Sequence, residues 1–192
     1  MKTILATGVM ALAIALPAGA QTSQGTAKAN TTKTAKAADQ TFVMKAARGG
    51  LAEVELGKLA EDKATNDQVK QFGKKMVDDH GKANDELKSL AQSKNITLPT
   101  DLSAKDKALH DRLSKLSGAA FDRAYMQAMV KDHREDVNEF RTESKSGADP
   151  EVKQWAAKTL PTLETHLKLA QDDNKAVGTS GTMTKTGKTT KK

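Results

Sequence analysis

The chain has 192 residues, of which 3% are aromatic and 29% charged, with no cysteine and a formal charge of +7. That length suits one domain with a real core, and the missing cysteine excludes disulfides, thiolate metal sites, a cysteine nucleophile and a lipid-bearing amino-terminal cysteine. The charge does not mark a nucleic-acid binder: residues 41–174 hold 22 Lys+Arg against 23 Asp+Glu, so the basic excess lies in the flanks, whereas such a binder carries its basic face on the folded part.

Residues 1–20 read as a secretory signal. Lys2 gives a positive start, Ile4 to Leu16 is an apolar run, Pro17 breaks it, and Ala18-Gly19-Ala20 is a small–x–small cleavage site. The run is too short for a stable membrane span, so no transmembrane segment is expected in the mature form. Export would place the protein in the periplasm or outer envelope. Residues 21–40 are Thr, Ala, Lys, Gln, Ser and Asn without an apolar period, and are expected to form a disordered linker.

A folded domain is expected over 41–174. Its first helix should run from Thr41, as N-cap, to about Lys63. Phe42, Ala46, Gly49, Glu53, Leu56, Gly57 and Ala60 share one face at spacings of three and four. Gly49-Gly50 costs helix stability unless a neighbour packs close there. A short connection, 64–66, implies an antiparallel partner. The second helix, about Asp67 to Ser93, turns Val69, Gly73, Met76, His80, Ala83, Asn84, Leu87 and Ala91 inward.

Pro99 lies in a longer connection, after which Ser103 caps a short helix to about Leu116 with Leu109, Leu113 and Leu116 inward. His110 lies beside that stripe and reads as a surface residue. The next helix, about Ala119 to Lys145, buries Asp122, Tyr125, Met126, Met129, His133, Val137 and Phe140. Asp149 as N-cap and Pro150 at the first helical position start the last helix. That helix should reach about Asp173, with Val152, Trp155, Ala156, Thr159, Leu163, His166, Leu167 and Ala170 inward and Pro161 kinking or interrupting it. Residues 175–192 are rich in Thr, Gly and Lys and are expected to form a disordered basic tail, suited to anionic envelope polymers.

The histidines carry the functional argument. Met76-Val77-Asp78-Asp79-His80 returns as Met129-Val130-Lys131-Asp132-His133, each with an aromatic residue, Phe72 or Tyr125, four positions before the Met. Counted from the connections at 1.5 Å per residue, Glu53, His80, His133 and His166 fall at similar heights, one per helix. Three neutral imidazoles and a carboxylate suit zinc, iron, manganese or copper. Met76 and Met129, one turn away, would favour copper if they ligate, but Met at this spacing is more often a gap-filling core residue. Asp122 is too far along the axis to join. Asp79 and Asp132 read as helix-face salt-bridge residues first and as partners of the histidines second. Without metal, the same four groups would be a polar core that satisfies itself.

Phe42-Val43-x-x-Ala46-Ala47-x-Gly49-Gly50-x-x-Glu53-Val54-x-Leu56-Gly57, Met76-Val77-x-Asp79-His80-x-x-Ala83-Asn84, Phe121-Asp122-x-x-Tyr125-Met126, Asp132-His133 and Leu160-Pro161-x-Leu163-x-x-His166-Leu167 together resemble the exported bacterial "domain of unknown function 4142" proteins over about residues 41–171. The resemblance implies an all-α, ferritin-like antiparallel four-helix bundle, here with a short extra helix in the second connection, and an envelope location, but no activity. Di-iron ferritins carry Glu-x-x-His on two helices. Here the positions three before the histidines are Val77, Val130 and Leu163, so ferroxidase chemistry is not expected. The Met-Val-x-Asp-His repeat also resembles, over a short stretch, exported His/Met helical proteins associated with copper. The reading is therefore a non-catalytic envelope protein that holds one transition metal in stress protection or metal handling. The alternative is a metal-free structural or interaction module. A metalloenzyme would need an open coordination position and a substrate pocket, and no nucleophile triad, phosphate loop or zinc-protease motif is present.

Overall fold

Capping chemistry sets the helix boundaries. In the computed structural model, which describes residues 23–183 and the side chains of 36–178, the helices are α1 (Ser23–Lys63), α2 (Asp67–Ser93), α3 (Ala104–Ser114), α4 (Gly118–Ser146) and α5 (Pro150–Met183). Asn66 Oδ1 accepts from the Gln68 and Val69 amides at the start of α2. Ser103 Oγ accepts from the Asp106 amide at the start of α3. Asp149 Oδ1 accepts from the Glu151 and Val152 amides, with Pro150 opening α5. There is no strand among the described residues, and no helix among them is long and apolar enough to cross a membrane.

Neighbouring helices run antiparallel around the bundle. α1 pairs with α2 and α4 with α5 as hairpins. The Asp122 carboxylate, at the start of α4, accepts from Thr65 N at 3.0 Å, Thr65 Oγ1 at 2.7 Å and Asn66 N at 3.1 Å, and so holds the α1–α2 turn. At the opposite end Lys94, just past α2, reaches Asp149 at 2.7 Å and Glu151 at 2.6 Å at the start of α5. Helices α2 and α4 therefore run parallel, and the chain between them makes one long crossover containing α3, as in ferritin-like bundles. Backbones come close between α1 and α2, where a Cβ on Gly57 would sit 2.7 Å from the Gly73 carbonyl oxygen. A Cβ at Gly50 would strike the Asn84 side chain, so the glycine pair meets a close neighbour as its pattern suggests, through Gly50 alone.

Several expected boundaries differ. α1 begins at Ser23, not Thr41, so the segment expected as a linker is helical from that residue onward. Thr41 is inside the helix, its hydroxyl donating to the Ala37 carbonyl, and is not an N-cap. The extension is held from outside: buried Asp39 accepts from the Ala148 and Asp149 amides at 3.1 and 2.6 Å, a contact no local pattern announces. α5 continues ten residues past Asp173 to Met183, and Val177 is buried against the core, so the first part of the expected disordered tail is helix. Pro161 does not interrupt α5. Residues 1–20, expected as the signal, and 184–192 of the tail lie outside the described residues.

The core divides in two. One apolar cluster gathers Leu56, Phe72, Met76, Phe121, Tyr125 and Met129. The other gathers Phe42, Leu87, Val137, Phe140, Trp155 and Leu163. A layer of buried polar side chains lies between them.

A candidate metal centre of three histidines

Each histidine of the layer is carried by a different helix, at the midpoint of that helix's inward stripe: His80 on α2, His133 on α4 and His166 on α5. They are 6%, 0% and 1% exposed. Their ring centroids lie 5.7 Å (His80–His133), 5.3 Å (His80–His166) and 5.4 Å (His133–His166) apart. One nitrogen from each ring lies within 4.8 Å of the others.

Two of the rings have their outward nitrogens tied. His133 Nδ1 donates to the Met129 carbonyl one turn back, at 3.1 Å. His166 Nε2 donates to Asp79 Oδ2 at 2.9 Å. Those bonds place the protons on the outward atoms and leave His133 Nε2 and His166 Nδ1 as bare lone pairs. Both of these, and His80 Nε2, are buried without any hydrogen-bond partner. A buried polar atom without a partner is costly, and three gathered in one spot, two of them with opposite nitrogens held by an acceptor, form the arrangement a bound transition metal uses.

The electrostatics keep the rings neutral. Burial, and then the neighbouring imidazoles, hold His80 well below the ordinary histidine range. Burial and then His166 lower His133 to about 4. For His166, burial outweighs the Asp79 carboxylate and the result is again downward. Burial pushes Asp79 up, but its bonds to His166 and Lys75 outweigh this and hold it below the usual carboxylate range, so it accepts from His166. All three imidazoles are thus unprotonated at neutral pH, as metal ligation requires.

The four-residue set read from the sequence separates into three and one. Glu53 is fully buried, but its Oε1 lies 3.7 Å from His133 Nδ1, the nitrogen turned away from the other rings. Burial, and then the Asp132 charge, raise its carboxyl well above the usual range. With His133 unprotonated at neutral pH, this approach is not an ion pair. Glu53 sits behind one imidazole instead of among the three. Met76 and Met129 are fully buried in one of the apolar clusters. Asp79 is both of the things its position suggested, bridging to Lys75 at 3.0 Å and holding His166. His110 is partly exposed, 3.8 Å from Asp111. The sequence reading missed the Tyr125 hydroxyl, buried without a partner and pushed up by burial and then by Glu53. Only its polar tip on an otherwise apolar stripe could have signalled it.

A crossover bundle of four long helices with a polar, metal-competent middle is a ferritin-like helical domain. The chain belongs to the family described as domain of unknown function DUF4142, whose sequence pattern matches residues 23–172. No curated protein matches it significantly. Among solved structures it is similar to a DUF305 protein of Streptomyces coelicolor, a candidate secreted protein, with a TM-score of 0.63 at 16% identity over 73% of this chain and 92% of that one. A DUF305 fragment from Deinococcus radiodurans gives a TM-score of 0.63 at 13% identity over 73% and 95%. CopM in its Cu(II)-bound form gives 0.61 at 16% identity over 72% and 96%. At these identities the likeness establishes the fold.

Proposed function

We propose that this protein holds one transition-metal ion between His80, His133 and His166, and that it does so as an exported protein of the cell envelope, in metal handling or stress protection and without catalysis of its own. The observation that carries this reading is the convergence of three buried imidazole nitrogens that have no other partner. Neutral imidazole suits zinc, copper and iron. That a protein of the same fold, CopM, has a Cu(II)-bound form makes copper the first ion to try. Glu53 lies one step behind His133, its carboxyl raised by burial. Met76 and Met129 belong to the packing on one side of the layer. Export rests on the signal-like residues 1–20, and the binding domain is taken as residues 41–174.

The metal-free alternative requires the protein to satisfy its own polar layer. The three inward histidine nitrogens have no hydrogen-bond partner, which weighs against it. The test is elemental analysis of protein purified from periplasm without chelator or affinity metal. Near-stoichiometric metal, lost in His80→Ala and in His133→Ala, supports the proposal. A well-folded protein that carries no metal and takes up no copper, zinc or iron refutes it.

A further inference from the structure

The triad offers three protein donors, and among the described residues no fourth carboxylate or histidine joins them within reach. A four-coordinate ion held by three imidazoles keeps one position for a ligand from outside. Away from the surface the layer is closed: His133 is fully buried, the Phe72 ring lies 6.1 Å from it, and Tyr125 and Met129 are fully buried beyond. Toward the surface it is not. His80 and His166 both line a cleft of about 150 Å³ between α2 and α5, with Lys82, Lys158, Thr159 and Thr162 around it.

The charge of that cleft is uneven. Its two acids are each held by a lysine, Asp79 by Lys75 at 3.0 Å and Glu86 by Lys158 at 2.7 Å. Lys82, exposed at the rim, has no ion pair among the described residues, so its ammonium is the uncompensated charge. The Thr159 hydroxyl donates to the Trp155 carbonyl at 2.9 Å, which leaves the exposed Thr162 hydroxyl as the short polar group that can donate to an anion.

We propose that the cleft admits a small anion to the fourth position of the triad-bound ion, where it exchanges with water. This rests on the metal reading above and adds an exogenous-ligand site to it. The exchange is a substitution: one metal–oxygen bond to water breaks, one bond to the anion forms, the water leaves by the cleft, and the oxidation state of the metal does not change. Anions of the size of azide, cyanate or formate fit a cleft of this volume.

The test loads the full chain with Cu(II), or with Co(II) if that ion alone reaches one equivalent, and titrates azide while following the ligand-to-metal or d–d absorption. A saturable spectral change is expected. Thr162→Trp, at an exposed position that fills the cleft, should weaken azide binding at least tenfold with metal content unchanged. Lys82→Glu, also exposed, should weaken it a few-fold. One equivalent of metal with no spectral response to azide overturns this inference and leaves the metal reading standing. So does a response that neither Thr162→Trp nor Lys82→Glu diminishes, since the anion would then arrive by another path. Failure to load any metal removes both readings, and elemental analysis distinguishes that case.

Discussion

Asp122 and the histidine layer are both buried polar features on the inner stripes of the bundle, yet they end in opposite states. Asp122, 3% exposed, spends its carboxylate on three donors of the α1–α2 turn. The layer leaves His80 Nε2, His133 Nε2 and His166 Nδ1 unpartnered. A satisfied buried group does structural work, since its bonds offset the cost of burial. A set of unsatisfied groups that point at one another is a cost the fold carries without return unless something binds there. Burial alone does not separate structure from function in this protein, whereas the convergence of unpartnered nitrogens does.

That contrast can be broken by mutation. The largest effect is expected for His133→Ala, which removes one of three ligands. Metal affinity, measured by competition with a chelator, should fall by more than about 100-fold, beyond the range seen for partners that only orient a ligand. Loss within that lesser range would make His133 a supporting group.

Acid should reproduce part of this in the metal-free protein. An unfolded histidine titrates near 6.5, whereas His133 in the fold titrates at about 4, with His80 and His166 also lowered. The folded pKa values are depressed, so the unfolded chain binds more protons between these values. The stability that neutral rings allow is whole above about pH 6.5 and is lost as pH falls toward 4, by on the order of 3 kcal/mol for His133 alone. Because the raised Glu53 carboxyl acts on overall stability in the opposite sense, the check is an NMR titration of the histidine rings in the metal-free protein, and rings that protonate near pH 6.5 would mean they are not buried as neutral groups.

Asp122→Ala should give the reverse pattern to His133→Ala. It leaves three donors without their acceptor, at about 2–3 kcal/mol of stability, while metal affinity stays within about twofold. A matching loss of metal affinity would show that the turn and the layer are coupled. Asp79→Ala frees His166 Nε2, and metal affinity should fall about 10- to 100-fold with little change in the thermal midpoint. The smallest effect belongs to Glu53→Gln. Because burial already favours its uncharged form, the isosteric amide should shift stability by less than about 1 kcal/mol and keep metal bound. Loss of metal in this variant would return Glu53 to the ligand set.

The helices and their inner faces were legible because spacings of three and four report one face directly, and turn residues such as Asn66, Ser103, Asp149 and Pro150 act locally. Counting from the turns also gave the shared height of the three histidines. What counting gives is height and face, not position within the face. Glu53 has the right height and an inward face, yet its carboxyl ends behind His133. The start of α1 was not legible because residues 23–40 have no apolar period, and Asp39 is held by amides about 110 positions away in the chain. The role of Asp79 was only half visible: Lys75, four residues before it, can be read from spacing, but His166 on another helix cannot. The cleft over the triad was invisible, since Lys82, Thr159 and Thr162 meet only when α2 and α5 pack.

The most direct measurement is X-ray absorption of the metal-loaded protein. The account predicts a first shell dominated by three imidazole nitrogens at about 2.0–2.1 Å, with the outer-ring scattering of histidine and one light exchangeable ligand. A shell made of carboxylate oxygens or thioether sulfur, or one that stays the same in His133→Ala, would contradict it.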